Sequence, residues 1–276
     1  MAANAAGAAV IAANNKLFFI PAAFGSAVDD QKQIMLDGEA MGIGSSDAGV
    51  AVTTTNNSLY LVSMVDVDSE KRCDLNGVAG AIVVKDTNVA VSVGNQIATV
   101  DGSGITDATD CGETPVITTP PGSTKFGERM LLGNFDGDSD ANDLVVTANN
   151  AVYVYMNFPT TNTMTTIPTP PGSVAFGAAI AVGDLDGDSR DELVIGDPMH
   201  VIGAHPEAGK AYIYGTSTTA GEFEEPIVLH DTRAEDNQRF GQSLAVTSAN
   251  KLIVGAHNEV FTYVRTPLAG DVDFRN

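Results

Sequence analysis

The chain repeats itself, and the repeat restricts its fold more than any other feature. Phe176 to Pro198 reads FGAAIAVGDLDGDSRDELVIGDP, and Phe126 to Val146 reads FGERMLLGNFDGDSDANDLVV. The approach is copied as well: Thr119-Pro120-Pro121-Gly122-Ser123 leads into the earlier copy and Thr169-Pro170-Pro171-Gly172-Ser173 into the later one. A third copy, FGQSLAVTSANKLIVGAH, runs from Phe240 to His257 and lacks the acidic loop. Self-similarity at such a period means stacked or radially arranged units, because one unit alone cannot bury its apolar face.

A second pattern covers the rest. Residues 7–20, GAAVIAANNKLFFI, align without gaps on residues 49–62, GVAVTTTNNSLYLV. Both alternate apolar and polar around a turn (Asn14-Asn15, Asn56-Asn57), which is a two-strand hairpin; Asn tolerates the positive φ that a tight turn needs. The pattern recurs around Gly94-Asn95, Asn149-Asn150 and His257-Asn258, and between Glu192 and Tyr214 with the turn swollen into Pro198 to Ala208. Six hairpins over 276 residues give about 46 residues per unit, the size of a four-stranded blade. The expected units are 1–38, 39–76, 77–117, 118–167, 168–231 and 232–276, all in one domain. The segments Asp101 to Thr124 and Asn157 to Val174, rich in Thr, Pro and Gly, are expected to be extended. Gln31 to Leu36 is the one candidate for a short helical turn. The chain opens inside a hairpin with no FG strand before it. Either Leu268 to Asn276 completes the first unit and closes a ring, which is the preferred reading, or the chain is a piece of a larger protein.

The acidic loops carry the chemistry. Asp184, Asp186 and Asp188 alternate with Leu185 and Gly187, and Glu192 follows. Gly187 permits the tight turn that brings the three side chains together. Carboxylates ~4 Å apart repel by ~4 kcal/mol per pair at an effective dielectric near 20. A hard cation removes that penalty, and Ca²⁺ accepts six to eight oxygens. The expected ligands are Asp184, Asp186, Asp188, the Arg190 carbonyl and Glu192. The earlier loop offers Asn134, Asp136, Asp138, the Asp140 carbonyl, and Asn142 or Asp143. Asp143 is preferred because it directly precedes the strand Leu144-Val145-Val146, as Glu192 precedes Leu193. An EF-hand is excluded, since its loop is longer and flanked by helices.

Phe176-Gly177, the DxDGD loop, Gly196-Asp197-Pro198 and the following Gly209-Lys210-Ala211-Tyr212-Ile213-Tyr214-Gly215 resemble the FG-GAP repeats of integrin α-subunit propellers and many bacterial surface proteins. The resemblance is sharp over residues 118–264 and faint before them. It implies an all-β chain, a β-propeller of about six four-stranded blades with calcium held in hairpin loops; seven blades is the alternative, since such propellers are commonly sevenfold. The chain departs from the family at Asp197, often Ala there, at Glu192, usually Asp, and in its outer repeats, which lack the loop. The absence of Trp argues against WD repeats.

Net charge is −21, from 14 basic and 35 acidic residues. That argues against a nucleic-acid backbone or an anionic membrane as partner and suits cations and basic partners. No apolar run is long enough to span a membrane. The opening MAANAAGAAVIAAN lacks a basic segment and reads as strands, not as a leader, so an exported protein would have lost its leader before Met1. Cys73 and Cys111 fit no zinc spacing. Their separation, near the local period, suggests equivalent outer loops of adjacent units, with a disulfide in an exported protein as one option and two unpaired residues as the other.

No nucleophile elbow, zinc-protease, phosphate-loop or dinucleotide motif is present. His200 and His205 share a loop with Asp197 and Glu207; surface residues are the preferred reading and a small metal or acid–base site the other. Tyr153, Tyr155, Tyr212, Tyr214 and Tyr263 alternate along strands and are expected to pack between units. The sequon Asn56-Asn57-Ser58 sits in a tight turn and reads as chance. The expectation is therefore a non-catalytic, calcium-binding module at the cell surface or outside it, binding a protein or glycan in adhesion or as a lectin. The alternatives are a polysaccharide lyase or hydrolase on the same scaffold and a structural subunit of a surface assembly.

Overall fold

The structure is a computed structural model and describes residues 2–3, 9–13, 15–20, 33–46, 49–63, 70–103, 105, 110–138, 142–160, 163–217, 219, 221–265 and 274–275. It divides into two compact units, one of Met1–Pro121 with Phe126–Glu128, the other of Gly122–Lys125 with Arg129–Asn276. Every sheet among the described residues is a four-stranded antiparallel meander in chain order, and none of these residues is helical.

The first unit holds three sheets. They are β1 (Ala2–Ala3), β2 (Ala9–Ala13), β3 (Lys16–Ile20) and β4 (Gln33–Met35); β5 (Ala40–Ser45), β6 (Gly49–Thr54), β7 (Ser58–Ser63) and β8 (Lys71–Asp74); β9 (Ala79–Lys85), β10 (Asn88–Val93), β11 (Gln96–Asp101) and β12 (Thr114–Thr118). The second unit holds β13 (Met130–Gly133), β14 (Asp143–Ala148), β15 (Ala151–Met156) and β16 (Thr163–Ile167); β17 (Ala179–Gly183), β18 (Glu192–Asp197), β19 (Lys210–Tyr214) and β20 (Ile227–Leu229); β21 (Ser243–Val246), β22 (Lys251–Gly255), β23 (Val260–Arg265) and β24 (Phe274–Arg275).

The middle strands read as near-continuous apolar runs because both of their faces are covered. In β18, Leu193 and Ile195 join one core with Phe135, Val154, Phe176 and Tyr214, while Val194 joins a second with Ile213, Phe240, Leu252 and Phe261. Strand β6 divides the same way: Ala51 packs with Leu59, Val91 and Cys73, and Val50 and Val52 pack with Leu17 and Ile34. Period-two alternation thus supplies two cores from one strand. The five tyrosines named above are all buried, as packing residues should be.

The hairpin turns fall where the Asn and Gly residues place them. Asn15, Asn57 and Asn150 take positive φ (58°, 62° and 56°), as does Gly94 (60°); Asn14 lies outside the described residues. A turn carbonyl then accepts a bond from the chain leaving the fourth strand. Leu36 N–H donates to Asn15 O (2.8 Å), Leu75 N–H to Asn57 O (2.8 Å) and Thr119 N–H to Asn95 O (3.1 Å). In the fourth sheet the Thr169 hydroxyl donates to Asn150 O at 3.0 Å.

Four expectations are corrected. The segment from Gln31 to Leu36 makes no helical turn over its described residues: Gln33–Met35 is β4, paired Leu17↔Ile34, and Ile34 is buried beside Leu17. Gln31 is outside the described residues. The first sheet needs nothing from the C-terminal segment, because Ala2–Ala3 pairs with β2 as its first strand. Phe274–Arg275 instead completes the last sheet, with Val264↔Arg275 and Arg265↔Phe274; residues 268–273 and 276 lie outside the described set. The two long segments are more than extended chain, since they contribute the fourth strands β12 and β16. Finally, Cys73 is not in an outer loop but inside β8, and it bonds Cys111 in the approach to β12, with Cα atoms 5.0 Å apart and both residues in the first unit's core.

Candidate metal centre

Two acidic loops in the second unit connect the first and second strands of neighbouring sheets. Strand β17 ends at Gly183 and β18 begins at Glu192, paired Gly183↔Glu192, so the loop is closed at its base by the sheet. Within it the carboxylates organise the backbone. Asp184 accepts from Gly187 N–H (2.5 Å) and Ser189 N–H (3.1 Å), Asp186 from Asp188 N–H (3.0 Å), and Asp188 from Arg190 N–H (2.8 Å). Gly187 takes φ 83°, as the tight turn requires. The result brings one carboxylate oxygen each from Asp184, Asp186 and Asp188 within 4.8 Å of one another.

Glu192 closes the loop from below. It is buried, and its Oε2 accepts Leu185 N–H at 2.6 Å. Burial first, then the charges of Asp188, Asp184 and Asp191, push its carboxyl up to about 7, against the pull of the Leu185 amide. The Arg190 guanidinium does not sit among these carboxylates; its Nη1 donates to Ser217 O at 2.7 Å.

The loop between β13 and β14 repeats the plan. Asn134 Oδ1 accepts Gly137 N–H (3.0 Å) and Asp136 accepts Asp138 N–H (3.1 Å). Asp143 is fully buried and takes the place of Glu192: its Oδ2 accepts Phe135 N–H (2.7 Å) and its Oδ1 accepts Asn157 N–H (2.8 Å). Burial raises its carboxyl, the two amides oppose this, and Asp136 and Asp138 raise it further. Asn157 Nδ2 also reaches Asp136 Oδ2 at 3.2 Å. Asn142, the other candidate for the last donor, keeps a buried Oδ1 with no hydrogen-bond partner. Asp140 lies outside the described residues.

The donor set fits a hard cation. Every side-chain donor is an oxygen, three converge in the later loop, and the Glu192 carboxylate is driven towards protonation by burial first and then by its neighbours' charge when no cation offsets it. One residue escaped the sequence reading: Asp191, between two expected ligands, turns to the other loop. Its Oδ2 accepts Asn134 N–H and its own N–H donates to Asn134 O, both at 2.8 Å. Only its place inside a ligand run could have signalled it.

The four residues of the swollen turn do not converge. His200 and Asp197 pair at 3.1 Å, and both are buried, contrary to the surface reading for His200. Asp197 Oδ1 also accepts Ala175 N–H at 2.8 Å. His205 turns to Asp236 (3.0 Å) and Glu207 to Arg239 (2.7 Å), both exposed to solvent or partly so.

Comparison with known proteins agrees with this architecture. The FG-GAP repeat family matches residues 176–214, which span β17, the acidic loop, β18, the swollen turn and β19. Among curated protein sequences nothing matches. Among solved structures, the β-propeller domain of Cps50 (Swd1) from Myceliophteria thermophila is similar over 100% of this chain and 83% of its own, at a TM-score of 0.63 and 8% identity. At that identity the likeness speaks for the fold alone. The repeated FG strands, the meandering four-stranded sheets and these two matches together make the chain a β-propeller that carries an FG-GAP repeat at residues 176–214.

Proposed function

We propose that this propeller binds calcium in its two acidic loops and serves, outside the cell or on its surface, as a non-catalytic ligand-binding module of adhesive or lectin-like type. The observation that carries the reading is the convergence of Asp184, Asp186 and Asp188 above the buried Glu192. Asp184, Asp186, Asp188, the Arg190 carbonyl and Glu192 would hold one ion; Asn134, Asp136, Asp138, Asp140 and Asp143 would hold the other. The ion supplies charge neutralisation and pins the loop between two strands of one sheet. Extracellular modules of this kind work with sites of ~10⁻⁴–10⁻³ M affinity. The Cys73–Cys111 bond supports an oxidising compartment.

The test is binding to a broad glycan panel in calcium and again in EDTA, with a melting curve in each. Sugar binding in calcium supports the lectin-like role, and its loss in EDTA without unfolding puts the ion at the ligand. No sugar binding, with melting raised by calcium, keeps the ion as a pin and directs the search to protein partners.

A polysaccharide-active enzyme is the second reading. The buried Asp197–His200 pair favours it, since a carboxylate on Nδ1 orients an imidazole for proton transfer. Release of reducing ends or unsaturated products from acidic polysaccharides, lost in His200→Ala, decides between the two.

A further inference from the structure

We infer that the two acidic loops take up calcium as a coupled pair, with Asp191 the positioning residue that joins them; the inference rests on the calcium reading above. Asn134, the first expected ligand of the earlier loop, is clamped through its own backbone by the later loop. Its N–H donates to Asp191 Oδ2 and its carbonyl accepts Asp191 N–H, both at 2.8 Å. Its side chain is held from the same side. Asn134 Nδ2 donates to Asp138 O (2.7 Å) and lies 3.4 Å from Ser189 O, which aims Oδ1 away from these carbonyls, towards the turn at Gly137.

A second contact runs beside the first. The Arg190 side chain lies over Gly137, where an added Cβ would meet Nε at 2.9 Å, before its tip reaches Ser217. Ser189, Arg190 and Asp191 stand in the later loop between the expected ligands Asp188 and Glu192, and Arg190 itself offers its carbonyl. An ion in the later loop therefore fixes the three residues that hold Asn134 and cover Gly137. The earlier loop is then ordered before its own ion arrives and loses less freedom on binding. Linkage makes the effect mutual: an ion in the earlier loop must favour the later one by the same factor.

Asp191 is half-buried, and burial followed by the charge of Asp184 raises its carboxyl while the Asn134 amide lowers it. The bond it accepts offsets only part of that cost, and with Oδ2 taken by Asn134 N–H its role is to position Asn134 and not to supply a further ligand.

The test is calorimetric titration of the full chain with calcium alone. Wild type is compared with Asp186→Ala, which disables the later loop, and Asp136→Ala, which disables the earlier one. Coupling predicts that the product of the two wild-type association constants exceeds the product from the single-loop variants by about fivefold or more. In Asp191→Ala the excess should vanish although every expected ligand remains, and Asp191→Asn, which keeps an acceptor for Asn134 N–H, should restore it. Equal products in wild type overturn the coupling, and so does an excess that survives in Asp191→Ala. The wild-type comparison stands even if Asp191→Ala does not fold. Two independent binding events would sink the coupling and leave the calcium reading intact; no uptake of calcium at all would sink both.

Discussion

Gly196 and Gly241 meet backbone to backbone: a methyl group on Gly196 would run into the Gly241 carbonyl oxygen, and one on Gly241 would lie 2.5 Å from Lys210 O. The first glycine belongs to Gly196-Asp197-Pro198 of one repeat and the second to Phe240-Gly241 of the next. The two ends of the repeat signature are thus a packing contact between successive sheets. Gly177 does the same work against Val152, with φ of 90°. The phenylalanines of these FG pairs fill the core between the sheets; Phe176 meets Tyr212 edge-on at 5.7 Å and Phe240 meets Phe261 at 5.1 Å.

Gly241→Ala should therefore destabilise the protein by about 1–3 kcal/mol through overpacking, with added strain from its φ of 85°. Urea unfolding measures it. A change within about 0.5 kcal/mol, the usual range for a neutral surface site, would contradict the contact.

Much of this was legible in the sequence, for a physical reason. The middle strands β6, β7, β10, β11, β14 and β15 are largely buried and their turns need positive φ, so they announce themselves as apolar runs around Asn or Gly. The fourth strands do not. Strand β16 (TMTTI) shows only Ile167 fully buried, and β12 (TPVIT) only Ile117, so most of each strand faces solvent and its composition resembles a loop. Strand β4 has one buried residue, Ile34, and reads as nothing in particular. At the later acidic loop, the convergence of Asp184, Asp186 and Asp188 was readable because it is local. The clamp from Asp191 to Asn134 was not, because it joins loops of two different sheets, far apart in the chain, and no local pattern encodes it. The same holds for the bond that Asp197 accepts from Ala175 N–H, which tertiary packing sets.

Asp197 marks a departure from the family pattern, and the structure gives it work. It is fully buried and accepts Ala175 N–H while pairing with His200. Asp197→Ala leaves that amide unsatisfied and should cost about 1–3 kcal/mol. The loss should be local, so limited proteolysis is expected to open the turn at Pro198 to Ala208 before the rest of the chain. Unchanged cleavage would argue that the turn holds itself.

The Cys73–Cys111 bond closes a separation of 38 residues inside the first unit. Replacing both with Ser should lower the free energy of unfolding by about 2–4 kcal/mol. Wild type in reductant should approach the variant, provided the buried bond is reduced under mild denaturant. Identical urea midpoints with and without the bond would contradict this.

Glu192 makes a pH prediction for the ion-free protein. Its folded carboxyl is raised from 4.5 to about 7, so between those values the folded state holds a proton that the unfolded state has lost. Stability in EDTA should then fall as pH rises from about 4.5 to about 7. Calcium, which favours the ionised carboxylate, should suppress that fall. Glu192→Gln keeps an acceptor for Leu185 N–H but cannot titrate, and its stability should be flatter than wild type across the same window. Equal slopes for the two proteins in EDTA would remove Glu192 as the source.

Whether the acidic loops are calcium sites that pin the sheets is decided by thermal unfolding of wild type and Asp186→Ala in EDTA and in about 10 mM calcium. With sites of ~10⁻⁴–10⁻³ M affinity, that concentration should stabilise wild type by about 1.4–2.7 kcal/mol per loop. Calcium should clearly raise the wild-type melting temperature and raise that of Asp186→Ala much less. A wild-type melting temperature that is the same in both buffers would contradict it.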